Sequence, residues 1–254
     1  MDIITDRAII LHSIKHGDSS LILHVFARNH GRLSIIAKGA RSKKPRFGAA
    51  LEVMTHTEII YSFRQSRDIQ MLRDARIIDS FLPIRDNLEK TALGSAVCEL
   101  LRMVTPNEEA SVEIFDISFR ALESISRSSK NTRNHFWQFE LELFRPLGIG
   151  ISLSHCYNCG KELTILEGDK IEFDSSEGAF RCSTCATGNG VTLSMETFRV
   201  LEFLNRASGQ SVEKLRISPQ AEAEIKSALS RHLRTHLPIH RDLKSLDALK
   251  WGTP

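Results

Sequence analysis

The stretch Arg28–Phe47, RNHGRLSIIAKGARSKKPRF, decides how the first third of the chain is read. Its left half joins a turn, Asn29-His30-Gly31, to an apolar run, Arg32–Lys38, with the branched residues of a strand. Its right half carries Lys38, Arg41, Lys43, Lys44 and Arg46, interleaved with Gly39, Pro45 and Gly48, which places these charges on a loop. No Asp or Glu occurs between Ser19 and Leu51, although the whole chain balances 34 Lys and Arg against 31 Asp and Glu for a net charge of +3. Such a cluster follows a flexible polyanion and releases its condensed counterions. Phe47, at the end of the loop, is in position to stack on a base. A basic loop that is merely solvated fits the charge pattern too.

Working outward, residues 1–80 read as strands. Asp6–Lys15, Ser20–Arg28 and Arg32–Lys38 are separated by turn chemistry at Gly17-Asp18 and Asn29-His30-Gly31; Leu51–Phe63 and Asp68–Phe81 follow, split by the polar Arg64–Arg67. Five short strands with a basic loop between the third and fourth predict a small barrel, of which the oligonucleotide-binding (OB-fold) barrel is the natural candidate.

After Pro83 the apolar period changes from two to about 3.6, which predicts a domain boundary: residues 1–81 as a barrel domain and 82–254 as a helical domain. Asp86 is the expected cap of a helix carrying Leu88, Ala92, Ala96, Leu100 and Val104 at spacings of four. Further helices are expected over Glu109–Ser126 and Thr132–Arg145, the latter apolar nearly all round and therefore central. Ser194–Ala207 and a helix opened by Ser218-Pro219 continue the pattern, and the tail HRDLKSLDALKW is a short amphipathic segment. The fold class is thus α+β and multidomain, with an insert at about 152–192 interrupting the helices.

That insert holds Cys156-Tyr-Asn-Cys159 and Cys182-Ser-Thr-Cys185, two C-x-x-C pairs separated by 22 residues. Each pair turns two thiolates toward one point, and together they complete a tetrahedron of soft ligands that suits one Zn²⁺. Four protein ligands leave no position for a reacting water, so the expected zinc is structural and nucleates a segment too short to bury a core unaided. A redox pair would need a thioredoxin-like βαβ context that is lacking here. Ile171–Phe173 and Gly178–Phe180 read as a small hairpin between the pairs, and Cys98 reads as a core residue.

No apolar run approaches the roughly 20 residues of a membrane helix. Asp2 and Asp6 stand where a secretory leader carries Lys or Arg, so the chain reads as cytoplasmic, where thiols stay reduced. Catalytic signatures are missing: there is no phosphate-binding G-x-x-x-x-G-K, and Gly148-Ile-Gly150 and Gly188-Asn-Gly190 lack a third glycine. His232 and His236 lie one helical turn apart without the Glu of a zinc-protease helix, which predicts a solvated face. Glu140 and Glu142, two apart on a helix, form no carboxylate dyad. The expectation is a binding protein rather than an enzyme.

At this point the residues carry a family resemblance. GDSSLILHVF followed by HGRLSIIAKGARSKKPRFGAAL resembles the N-terminal signature of the bacterial DNA repair protein RecO family, and the PLGI stretch, C-x-x-C-G, G-A-F-x-C-x-x-C and HLRTHLPIHRDLKSLDAL are similar to it in order and spacing. The resemblance spans nearly the whole chain. It implies an OB-fold barrel, a helical domain with a zinc-ribbon insert, and a non-enzymatic recombination mediator associated with the nucleoid during repair. It further implies binding to single- and double-stranded DNA, strand annealing, and action with RecR, RecF, RecA and single-strand-binding protein, with no membrane partner. Carried onto this sequence, Lys38, Arg41, Lys43, Lys44 and Arg46 contact phosphates with Arg32 nearby, and Cys156, Cys159, Cys182 and Cys185 hold zinc. Pro45 departs from the pattern by stiffening the loop. The basic residues Arg231, Arg234, Arg241, Lys244 and Lys250 offer a second DNA surface or a solvent-balanced face. The competing class of function is a zinc-ribbon protein-interaction module whose DNA affinity is incidental.

Overall fold

Branched residues and alternating burial produce five strands in order: β1 (Asp2–His16), β2 (Ser20–Ala27), β3 (Gly31–Ala37), β4 (His56–Phe63) and β5 (Ile69–Asp79). The computed structural model describes residues 2–166, 168–207, 209–237 and 242–249. Strand β1 runs antiparallel to both β2 and β4, β2 to β3, and β4 to β5; a short parallel pairing of Ser34–Ile36 with Ile69–Met71 closes the ring β1-β2-β3-β5-β4 into a barrel. A bulge between Ile10 and His12 lets the long β1 bend and serve both neighbours. Ala8, Ile10, Leu23, Val25, Leu33, Ile35, Ile59, Tyr61 and Leu72 fill the interior.

One end of the barrel is pinned by a buried carboxylate. Asp6 accepts hydrogen bonds from the backbone N–H of Asn29 at 3.0 Å and from its side-chain amide at 2.9 Å, and lies 2.7 Å from His30 Nδ1. These partners offset the cost of burying the charge and fix the β2–β3 turn on β1. The fourth strand starts at His56 instead of Leu51, because Gly48–Leu51 winds into a 3₁₀ turn that buries Ala50 and Leu51.

Helices follow the barrel. A single turn, α1 (Leu82–Arg85), precedes α2 (Leu88–Val104). The cap of α2 is Asn87, not Asp86: the Asn87 side chain accepts from Lys90 N at 3.0 Å, satisfying an otherwise unpaired donor of the first turn. Helix α3 (Val112–Arg127) places Phe115 6.2 Å from the Phe26 ring, and His56 lies between Phe115 and Phe119 with ring centroids 5.8 Å and 4.9 Å away. Burial first, and then the Arg7 charge, lower the pKa of His56 to about 4, so it packs as a neutral ring. The chain divides into two compact units, Met1–Arg127 and Ser128–Pro254, so α1–α3 fall in the unit that contains the barrel.

The second unit is built on α4 (Arg133–Phe144), which buries Phe136, Trp137, Phe139, Leu141, Leu143 and Phe144 around its circumference, as its all-round apolar pattern predicts. A three-stranded sheet in the order β7-β6-β8 follows: β6 (Lys170–Asp174), β7 (Ala179–Arg181) and β8 (Val191–Ser194). The first two are the expected hairpin; β8 is an addition made by a four-residue run too short to read alone. Then come α5 (Met195–Arg206), capped by Ser194, the short α6 (Gln210–Lys214), and α7 (Pro219–His236), capped by Ser218 with Pro219 in its first turn.

His232 corrects the expectation of a solvated face. It is fully buried, with Nε2 2.7 Å from the Ile149 carbonyl oxygen and Nδ1 3.1 Å from that of Ser175, because the β6–β7 turn packs over this face of α7. In the tail, Lys244–Leu246 forms a 3₁₀ turn with Leu243 and Leu246 buried, while Arg241 and Lys250 lie outside the described residues.

Candidate functional site

All five loop cations, Lys38, Arg41, Lys43, Lys44 and Arg46, are exposed. The loop leaves β3 and is tied to the β1–β2 turn: Arg41 donates its backbone N–H to Ser19 O at 2.8 Å and an Nη1 hydrogen to Gly17 O at 3.2 Å. Ser42 Oγ lies 2.9 Å from Gly39 O and 2.8 Å from Lys44 O, bracing the Lys43–Lys44 segment from within. At the far end Arg46 donates to the backbone carbonyl of Arg73 of β5 at 3.2 Å, while the exposed Arg73 side chain donates its own Nε hydrogen to Ser62 Oγ of β4 at 2.6 Å. Arg73 was not legible as a candidate, because nothing in its local sequence ties it to the loop. Among the described residues none of the five loop cations has a carboxylate partner. Their charge is therefore not neutralised internally and faces solvent.

Phe47 does not join them. It is 7% exposed and belongs to the barrel interior with Leu51 and Leu72, while the Arg46 guanidinium sits 5.3 Å from its ring centroid. The expected base-stacking role is thereby corrected: the ring gains more by burial at the start of the 3₁₀ turn than on the surface. Arg32 is separate as well. Its Nε donates to Thr105 O at 2.9 Å, at the end of α2, and its backbone carbonyl accepts from Glu108 N at 2.9 Å. Gly31 makes this approach possible. Its φ is +68°, and a Cβ placed there would lie 2.1 Å from Glu109 O.

The two C-x-x-C pairs converge as their spacing predicts. Cys156, Cys159, Cys182 and Cys185 bring their sulfurs within 4.8 Å of one another. Each pair is a hydrogen-bonded knuckle, with Gly160 N donating to Cys156 O and Cys185 N to Cys182 O, both at 2.9 Å. Cys156 and Cys182 are buried, whereas Cys159 is exposed. The Cys159 and Cys182 sulfurs are 3.8 Å apart, the edge of a tetrahedron of about 2.3 Å metal–sulfur bonds. Burial works against ionisation of Cys156, yet the N–H groups of Cys159, Cys182 and Asn158 outweigh it and lower the thiol to about 6. Cys185, hydrogen-bonded by its own thiol to Cys159 and then Cys182, is pushed up to about 12. Four thiols this close cannot all ionise without an opposing charge among them, which a shared cation supplies. The four thiols fit a tetrahedral, thiophilic metal ion with every position filled by protein.

These features define a class: a five-stranded barrel bearing a carboxylate-free cationic loop, in one chain with a helical unit organised about a tetracysteine centre. The chain belongs to the recombination protein O family. Residues 1–81 match the model of the family's N-terminal part, "Recombination protein O N terminal", and residues 85–247 that of its C-terminal part, "Recombination protein O C terminal". Similar proteins include the DNA repair protein RecO of Chloroherpeton thalassium, 26% identical over 237 residues covering 91% of this chain and 92% of that protein. Those of Desulfatibacillum aliphaticivorans, covering 97% and 96%, and Syntrophotalea carbinolica, covering 98% and 95%, are each 29% identical over 250 residues. Among the described residues no helix is long and apolar enough to cross a membrane.

Proposed function

We propose that this protein is a DNA repair and recombination mediator that binds single- and double-stranded DNA by its phosphate backbone and works without turnover. The observation that carries the reading is the exposed loop Lys38–Arg46, whose five cations lack carboxylate partners among the described residues. The barrel acts as an OB-fold platform, and Arg73 adds a cation beside the loop. Neutralising two backbones without reading bases lowers the repulsion between complementary strands and leaves partner choice to base pairing, which is the physical content of strand annealing. Family membership supports action beside RecR and RecF in loading RecA onto single strands coated by single-strand-binding protein. The tetracysteine centre holds one structural Zn²⁺ in a zinc-ribbon insert and takes no part in chemistry.

The test is single-strand binding across a salt series with Lys43→Ala/Lys44→Ala/Arg46→Ala. Affinity falls for every sequence, and the slope of log K against log salt flattens by about 0.7 for each phosphate no longer neutralised. An unchanged slope removes the loop from the mechanism and favours the interaction-module reading.

A further inference from the structure

We propose that His12, His24, Arg32 and Arg102 form a second phosphodiester-binding site on the outer face of the barrel, separate from the loop. The inference rests on the nucleic-acid reading above and assigns it an additional anchoring point. Strand register sets His12, His24 and Ser34 in one row across β1, β2 and β3. The two imidazole rings lie nearly parallel, at 9°, with centroids 6.1 Å apart, and Ser34 Oγ is 3.2 Å from His24 Nδ1. Arg32, two residues before Ser34 on the same face, is held at the end of α2 through Thr105, and Arg102 occupies the last turn of that helix.

Among the described residues, the charges that act on His12, His24 and Arg32 are all basic. Burial first, and then Arg102, lower the pKa of His12; burial, Arg102, His12 and Arg32, in that order, lower that of His24. Arg32 is itself lowered by burial and then by Arg102. The remaining side chain in the row, Ile69 of β5, is neutral and partly exposed. The Arg102 charge disfavours the charged forms of His12, His24 and Arg32, and an anion placed among them relieves that repulsion.

The neighbouring row toward the loop is apolar: Ile14, Ile22, Ile36 and Met71 share the outer face, and Ile14 is 45% exposed. Beyond it the chain enters the loop at Lys38, four residues and about 13 Å along β3 from Ser34. A single strand crossing this face meets cations at both ends and lays unstacked bases on the apolar row between them. Because the imidazoles carry charge only when protonated, the second site takes up protons on binding and strengthens as pH falls.

The experiment measures binding of a fluorescent oligothymidylate to the full chain at pH 8 and pH 6, for wild type, His12→Gln/His24→Gln and Arg102→Gln. Wild-type affinity is expected to rise about tenfold on acidification, the effect of one added charge-assisted hydrogen bond. The double His variant loses that rise, and Arg102→Gln binds more weakly than wild type at both pH values. Identical pH profiles for wild type and the double variant overturn the site. In that case the loop variant still weakens binding if the DNA reading is right, and leaves it unchanged if that reading is the one at fault. An independent arm follows the two imidazoles by proton NMR with inorganic pyrophosphate: both pKa values are expected to move up, and unmoved values overturn the site whatever DNA does.

Discussion

The sulfurs of Cys159 and Cys182 stand 3.8 Å apart, nearly twice the length of a disulfide bond and equal to the edge of a metal–thiolate tetrahedron. Metal analysis of the purified protein should therefore give about one zinc per chain. Cys159→Ser, or a strong chelator, should lower the melting temperature of the second unit and expose the hairpin Lys170–Arg181 to proteolysis, since metal binding there is folding free energy. DNA affinity of the loop should survive partial metal loss far better than the insert does.

Gly31→Ala is expected to cost about 2–4 kcal/mol, from strain at positive φ together with a collision against the Glu109 backbone. Gly39→Ala is the control. Its φ is +73° but open space surrounds it, so only the conformational cost of about 1–2 kcal/mol applies. Urea denaturation of the two variants separates the effects.

Glu140 is buried in α4 with Oε2 unpartnered, and burial raises its carboxyl to about 8. An acid whose folded pKa lies above its unfolded value near 4.5 binds its proton more tightly in the folded state. Stability is then complete below that unfolded value and declines as pH rises toward 8, by on the order of 1 kcal/mol per pH unit. Thermal melts at pH 5 and pH 8 should show this decline in wild type and a flatter profile in Glu140→Gln.

At His232 both ring nitrogens face carbonyl oxygens, although a neutral imidazole has one N–H. Burial dominates and lowers its pKa despite the Ile149 and Ser175 carbonyls. The shorter contact favours the tautomer with the proton on Nε2, donated to Ile149 O, with Ser175 O then accepting from His236 Nε2 at 2.8 Å. Nitrogen NMR should find this tautomer neutral at pH 6.5. A base with a depressed folded pKa contributes stability above its unfolded value, near 6.5, that is lost as pH falls below it. His232→Ala should cost about 2–3 kcal/mol through the cavity and the lost hydrogen bond, and His236→Ala less.

Much of this protein is written locally. The strand runs, the changed period after Pro83, the Ser218-Pro219 cap and the all-round apolar α4 follow from neighbours a few residues away, and each forms within a few residues of its expected bounds. The two cysteine knuckles are equally local, since each needs only a four-residue turn, and tetrahedral chemistry brings the pairs together. Local pattern and structure part where a distant segment covers a side chain. Phe47 reads as a surface ring until the barrel supplies a pocket for it, and His232 reads as solvated until the β6–β7 turn covers it.

A carboxylate-free cationic loop after the third strand and the meeting of four cysteines are legible in the bare chain, because charge density and turn spacing are properties of contiguous residues. Long-range packing is what ties Arg32 to the end of α2 at Thr105, stacks His12 on His24 and anchors Arg46 on the Arg73 backbone. Register across a closed sheet is fixed by which faces are buried together, a condition that no single stretch of chain contains.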